Sequence, residues 1–181
     1  MSDEAHIVKS YEEELQNLND SLIKMGSLTE SQLADSMEAI IKVDKESADK
    51  IIANDAKINE LRAKIDNQIM TVLVKRAPMA IDLRITISTL KISHDLERIG
   101  DLAKSVAKKI KPLPHDLPKE LIGSLRRLGD LVQKQLRNVL DAYLNKSKES
   151  AITIWKNDEQ VDDLTNTCLL YTSPSPRDEA L

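Results

Sequence analysis

The sequence predicts an all-α protein, and three observations carry that prediction. Glycine (4) and proline (6) are scarce among 181 residues, and no proline precedes Pro78. No proline therefore interrupts helix formation over the first 77 residues. Aromatic residues make up 2% of the chain and phenylalanine is missing, so Leu, Ile, Val, Ala and Met must fill the core. That composition suits long helices, not a sandwich or barrel. Apolar residues also recur at three- and four-residue intervals along most of the chain.

The first helix is expected over residues 5–43, through Val8, Leu15, Leu18, Leu22, Met25, Leu33, Met37, Ile40 and Ile41. Glu12, Glu13 and Glu14 lie near its beginning, where the helix dipole favours acids. Asp44-Lys45-Glu46-Ser47 is a break, with Asp44 or Ser47 as the cap of the next helix. The second helix then passes through Ile51, Ile52, Ile58, Leu61, Ile65, Ile69, Val72 and Leu73 to about Ala77. Pro78 ends it, because the residue before a proline is pushed out of the α region and proline suits a first helical turn.

The third helix is expected over 78–110, with two apolar rows. Leu83, Ile87 and Leu90 lie on one side; Ile85, Ile92, Leu96, Ile99, Ala103, Val106 and Ile110 lie nearly opposite. A helix apolar on two sides is expected to be sandwiched between neighbours. Three prolines within Lys111–Pro118 then mark a linker over 112–118. A fourth helix is expected over about 119–144 and a fifth from about Glu149.

Composition narrows function. Hydrophobic content of 41% supports a packed core, and charged content of 31% a solvated surface. A net charge of −4 argues against a nucleic-acid binder, which presents a basic face. One cysteine excludes an intrachain disulfide framework and a Cys-rich zinc site. Met1-Ser2-Asp3-Glu4 is acidic and does not read as a signal peptide. No run approaches the ~18 apolar residues of a membrane span. A cytoplasmic protein without membrane insertion is the expectation.

The fourth helix resembles the first. Sliding the sequence by 103 sets residues 22–61 against 125–164 without a gap, and 14 of the 40 positions are identical. The shared block includes Lys45/Lys148 through Ala48/Ala151, then Ile51/Ile154, Asn54/Asn157 and Asp55/Asp158. This is an internal duplication. On that spacing the third helix is expected to recur at 181–213, so the second unit is expected to lack its last helix within these 181 residues. From about Cys168 a Ser/Pro-rich run, Thr172-Ser173-Pro174-Ser175-Pro176 included, abandons helical periodicity. It reads as a disordered or non-native tail over 168–181, with native sequence ending near Thr167.

One stretch concentrates chemistry: Asp95-Leu96-Glu97-Arg98-Ile99-Gly100-Asp101. At about 100° per residue, Glu97 and Asp101 project from one helix face, one turn apart. His94 shares that stripe, and Leu83, Ile87 and Leu90 precede it. The row is either rotating out to solvent or building a polar site. On the second helix, Asp55, Asn59 and Asp66 form a matching row. Oxygen-only donors without cysteine suit iron, manganese, magnesium or calcium. A plainly solvated charged face is the competing reading.

Two motifs, Lys75-Arg76-Ala77-Pro78-Met79-Ala80-Ile81-Asp82-Leu83-Arg84 and Asp95–Asp101, resemble the PhoU family of phosphate-transport regulators. The Asn-Asp block in both halves agrees, and the resemblance covers about residues 10–167. It implies tandem three-helix bundles: a first repeat over 5–111 and a partial second repeat over 119–167, lacking its last helix. It further implies frequent homodimerisation, regulation of phosphate uptake and negative control of the phosphate-starvation response. The implied partners are the ATPase of the phosphate ABC importer and a PhoR-like sensor histidine kinase. Family members bind iron or another divalent or trivalent metal at acidic motifs. Carried over, these positions are Asp55, Asn59, Glu97 and Asp101 in the first repeat and Asp158 and Asp162 in the second. Arg62 departs from the pattern, since many members have an acid there, and an arginine neutralises the patch.

An enzyme is not expected. Consecutive residues Ser93, His94 and Asp95 point about 100° apart on a helix and cannot relay a proton. His94-x-x-Glu97 is the reverse of the Glu-x-x-His ligand order of ferritin-like sites, and it occurs once. Gly100, Gly123 and Gly129 are isolated and form no phosphate loop. Arg76, Arg84 and Arg98 read as helix-surface ion pairs, with Arg84 placed to fix the corner between the second and third helices. A regulatory adaptor is the leading function; the alternatives are a metal-binding helical module using acidic rows and a structural helical-bundle scaffold.

Overall fold

The computed structural model describes residues 2–115 and 117–172, with side chains over 9–115 and 117–166. Six helices follow one another among the described residues: α1 (Ser2–Lys42), α2 (Lys45–Arg76), α3 (Ala80–Ile110), α4 (Lys119–Leu144), α5 (Lys148–Lys156) and α6 (Glu159–Thr172). Among the described residues there is no strand, and no helix is long and apolar enough to cross a membrane. The chain is all-α, and it divides into two compact units, Met1–Leu113 and Pro114–Leu181.

In the first unit α1, α2 and α3 each pack against the other two. The α2 row Ala48, Ile51, Asp55, Ile58, Leu61, Ile65, Ile69 and Val72 is buried, a three-four alternation that keeps one stripe inward. On α1 the buried row includes Leu18, Leu22, Met25, Thr29, Gln32, Ser36 and Ala39, and Val43 just beyond the helix is buried as well. Asp44 caps α2. One carboxylate oxygen accepts the Glu46 and Ser47 amides at 3.1 and 3.0 Å, and the Ser47 hydroxyl donates to the other at 2.6 Å. Those bonds hold the Asp44 carboxyl below its ordinary value.

The α2–α3 corner differs from the expectation. Ala77 closes α2 in the left-handed conformation, its amide reaching the Leu73 carbonyl at 3.3 Å. Met79 is extended, so α3 starts at Ala80, and Pro78 lies before the first turn instead of in it. Ala77 and Ala80 both have positive φ, 45° and 48°. Left-handed residues carrying a Cβ cost roughly 1–2 kcal/mol each, so neighbouring bonds must hold the corner. Arg76, not Arg84, does this: its guanidinium donates to both Glu14 oxygens at 2.9 Å and to the Ser10 hydroxyl at 2.7 Å. Tyr11 donates to Asp82 at 3.1 Å across the same corner. The arginine bond holds Glu14 below its ordinary value, and burial pushes the Tyr11 phenol up.

Helix α3 also corrects the sequence reading. Its buried face is Thr86, Thr89, Ser93, Leu96, Gly100, Ala103, Ala107 and Ile110, so Leu96, Ala103 and Ile110 of the longer apolar row are enclosed as expected, whereas toward the N-terminus small polar residues lying between the two rows take the inward positions. Leu83 and Ile85, expected to be enclosed, are 39% and 40% exposed. Small hydroxyl residues go inward because each bonds its own helix: Thr86 to the Asp82 carbonyl at 2.8 Å, Thr89 to Ile85 at 3.0 Å, Ser93 to Leu90 at 2.8 Å. The hydroxyls are satisfied locally and the backbones approach closely.

In the second unit α4 packs against α5 and α6, burying Gly129, Leu136 and Ala142. Ser147 caps α5, accepting the Ser150 amide at 3.2 Å. The expected fifth helix is two helices, interrupted at Asn157–Asp158, where the Asn157 amide turns back to Thr153 and Ile154. Helix α6 runs to Thr172, beyond Thr167. The remainder of the expected tail, 173–181, lies outside the described residues.

Candidate functional site

Four side chains from three helices converge in the first unit. Asp55 of α2 is 2% exposed, a carboxylate inside the bundle. Such a group persists there only with strong partners. Gln32 of α1 donates to one of its oxygens at 3.1 Å. Lys104 of α3 donates to the other at 2.6 Å, and Asn59, one turn along α2, donates to that same oxygen at 3.2 Å. Gln32 also donates to the Gly100 carbonyl at 3.0 Å, so its amide bridges α2 and α3.

Gly100 is the residue that lets α3 come this near. A Cβ there would meet Ile58 Cδ1 at 2.9 Å and Gln32 Nε2 at 3.7 Å. Lys104 keeps 26% side-chain exposure and also pairs with Asp101 at 3.5 Å. The Asp55 hydrogen bond, foremost, holds the Lys104 ammonium above its ordinary value. One turn outward, Arg62 lies 3.4 Å from His94 Nε2, 3.8 Å from Asp66 and 4.0 Å from Glu97. His94 Nε2 is 3.6 Å from Asp66.

The predicted residues thus separate. Asp55, Asn59 and Asp101 share one cluster through Lys104. Glu97, 26% exposed, instead faces Arg62 in a second. In the second unit Asp158 is exposed and accepts Gln135 at 2.8 Å; Asp162 is exposed one turn on. Gln135 and Asp158 are the repeat equivalents of Gln32 and Asp55, so the duplication preserves a bond as well as residue types. Concavities recur in the same register. One of about 370 Å³ at the α1–α2 turn is lined by Asp35, Glu38, Lys42, Ser47 and Lys50. Its counterpart of about 480 Å³ is lined by Asn138, Asp141, Asn145, Ser150 and Thr153.

Sequence reading missed Lys104 and Gln32. Lys104 was discoverable, because it stands three residues beyond Asp101 and seven beyond Glu97, on the same stripe. Gln32 carried a signal only in the repeat, where Gln135 matches it. Ser93, His94 and Asp95 diverge as expected: Ser93 is fully buried against α3's own backbone, while the His94 side chain is 48% exposed.

The donor set as arranged does not fit the metal that the resemblance implies. Each acid of the first unit's rows already faces a cation, Lys104 for Asp55 and Asp101, Arg62 for Asp66 and Glu97. Among the described residues no group of three or more His, Cys, Asp or Glu side chains is placed to hold a metal ion.

Comparison with known proteins gives a consistent result. The family model described as the PhoU domain matches residues 22–110 and 125–174, one match in each unit. A phosphate-specific transport system accessory protein PhoU homolog of Caulobacter vibrioides (strain NA1000 / CB15N) is 40% identical over 177 residues, spanning 95% of this chain and 77% of that protein. The homolog of Rhizobium meliloti (strain 1021) is 35% identical, spanning 96% and 75%. The crystal structure of PhoU from Pseudomonas aeruginosa superposes with a TM-score of 0.85 at 33% identity, covering 89% of this chain and 78% of that one. The phosphate transport system regulatory protein PhoU from Streptococcus pneumoniae gives 0.80 at 30% identity, covering 87% and 74%.

Proposed function

The chain belongs to the PhoU family, and from that premise we propose that it regulates phosphate uptake from the cytoplasm and represses the phosphate-starvation response. The extent of the likeness carries this reading: relatives named as accessory proteins of phosphate-specific transport systems match both units, not an isolated motif. The proposed mode of action is protein–protein contact, with the ATPase of the phosphate importer and with a PhoR-like sensor kinase, by a homodimer of this chain. It is a regulator in this reading, not an enzyme.

The α2–α3 corner supports a contact mechanism. Met70, Val74, Met79 and Ile81 are 59%, 77%, 81% and 64% exposed, an apolar group on a helix corner held from beneath by Arg76. Exposed apolar clusters of this kind mark interaction surfaces.

Complementation tests the proposal. The chain is expressed in a phosphate-replete bacterium that lacks its own PhoU, and alkaline phosphatase is measured. Repression is the expected result. Phosphatase left fully derepressed by a folded, abundant protein would overturn the regulatory reading. Met79→Glu with Ile81→Glu, both on exposed positions, is expected to abolish repression while helicity is retained; unaltered repression would favour a different contact surface.

A further inference from the structure

We propose that the Lys104 ammonium occupies the place that the acidic rows of α2 and α3 would otherwise offer a metal ion, making the first unit's row a lysine-locked pin between helices. The inference is independent of the regulatory reading, because it concerns what the row holds and not what the protein does.

Geometry carries the proposal. Lys104 Nζ stands 2.6 Å from an Asp55 oxygen, and a magnesium or calcium ion bound to that oxygen would stand about 2.0–2.6 Å from it. Ammonium and metal therefore compete for one volume. The other Asp55 oxygen is turned to Gln32, and Asn59 directs its amide N–H₂, a donor, at the first. An amide presented this way offers hydrogen to the carboxylate, not a lone pair to a cation. Asp101, the remaining acid within reach, pairs with the same ammonium at 3.5 Å. Glu97 lies 4.0 Å from the Arg62 guanidinium.

The arrangement also has an internal logic. A lysine is covalently part of α3, so it joins α3 to α2 whatever the metal supply, whereas a bound ion would join them only when loaded. Gln32 adds α1 through its bonds to Asp55 and the Gly100 carbonyl. Side chains of three helices meet on one carboxylate.

Metal binding by the full chain tests this. Wild type, Lys104→Met, Lys104→Gln and Lys104→Met/Asp101→Asn are purified and stripped with chelator. Each is titrated with Mn²⁺ and with Fe²⁺ under anaerobic conditions, followed by calorimetry and elemental analysis, with circular dichroism as the control for folding. Wild type is expected to show no saturable binding. Lys104→Met, which keeps the stem and loses the charge, is expected to gain a saturable Mn²⁺ site and a metal-dependent rise in Tm. Asp101→Asn in that background is expected to weaken the gained binding at least about tenfold. If the methionine variant fails to fold, Lys104→Gln, whose amide still reaches toward Asp55, takes its place. Stoichiometric binding by wild type that Asp101→Asn removes would overturn the proposal, and so would a folded charge-removed variant that gains no binding.

Discussion

Removal of the Lys104 charge should destabilise the first unit through a specific partner, and a double-mutant cycle isolates it. Asp55 is 2% exposed and its side chain meets the ammonium at 2.6 Å. Deleting one member of a buried pair costs about 3–5 kcal/mol when the survivor is left uncompensated. Two circumstances lower that figure. Asp55 retains the Gln32 and Asn59 donors, and the Lys104 side chain is 26% exposed. Lys104→Met is therefore expected to cost about 2–3 kcal/mol, and a cycle with Asp55→Asn to give a coupling of about 1.5–3 kcal/mol. Urea is the denaturant of choice, because guanidinium chloride would screen the pair under study. The signal must be chosen with care. Trp155, the single tryptophan, lies in α5, so indole fluorescence reports on the second unit alone, and circular dichroism, which sums the helices of both units, must be read against it to obtain the first. The fluorescence transition serves as a control that should not move. A coupling below about 0.5 kcal/mol would place the pair with ordinary surface ion pairs and refute its role as a pin.

Three further outcomes follow from named contacts. Glu14 is held below its ordinary value of 4.5 by Arg76, so its contribution is present above that value and lost as pH falls through the depressed one; acid titration of stability should show this step in wild type and not in Glu14→Gln. Gly100→Val should destabilise the first unit by about 2 kcal/mol, since its Cβ alone already meets Ile58 Cδ1 at 2.9 Å; a melting temperature equal to wild type would contradict the close approach of α2 and α3. Ser147→Ala should weaken the second unit by about 1 kcal/mol through loss of the cap on Ser150, and fluorescence of Trp155 in urea should report it without change in the first unit's transition.

The helices were legible because their apolar spacing and stop signals are local properties. Asp44, the α2 boundary and the whole of α4 follow from residues within a few positions. The inward face of α3 was not legible. Thr86, Thr89 and Ser93 read as polar, and what makes them core residues is bonding to their own helix, which hydropathy does not register. The row Leu83, Ile87, Leu90 and the first members of the row Ile85–Ile110 misled for the same reason, since they flank the buried face, whereas Leu96, Ala103 and Ile110 of the longer row do form it. At the site, the stripe through Glu97 and Asp101 was visible, and so was the neutralising position of Arg62. Its division into two cation-paired clusters was not, because Lys104 meets Asp55 across 49 residues. The corner arginine was misassigned because Arg84 lies near Asp82 in sequence, whereas Arg76 finds Glu14 from 62 residues away.

The duplication supplies its own control for one of these effects. The pair Asn-Asp occurs at 54–55 and again at 157–158, in the same register of the repeat. At the first site the helix passes through without a break, with Asp55 clasped from α1 and α3. At the second, α5 ends and α6 begins. The Asn-Asp dipeptide alone therefore does not decide whether the helix continues, and at the first site the bonds from α1 and α3 hold it in line. The backbone at Asp55 is a gauge of whether α3 is seated, so amide exchange at residues 54–58 would register the undocking of α3 from a place on α2.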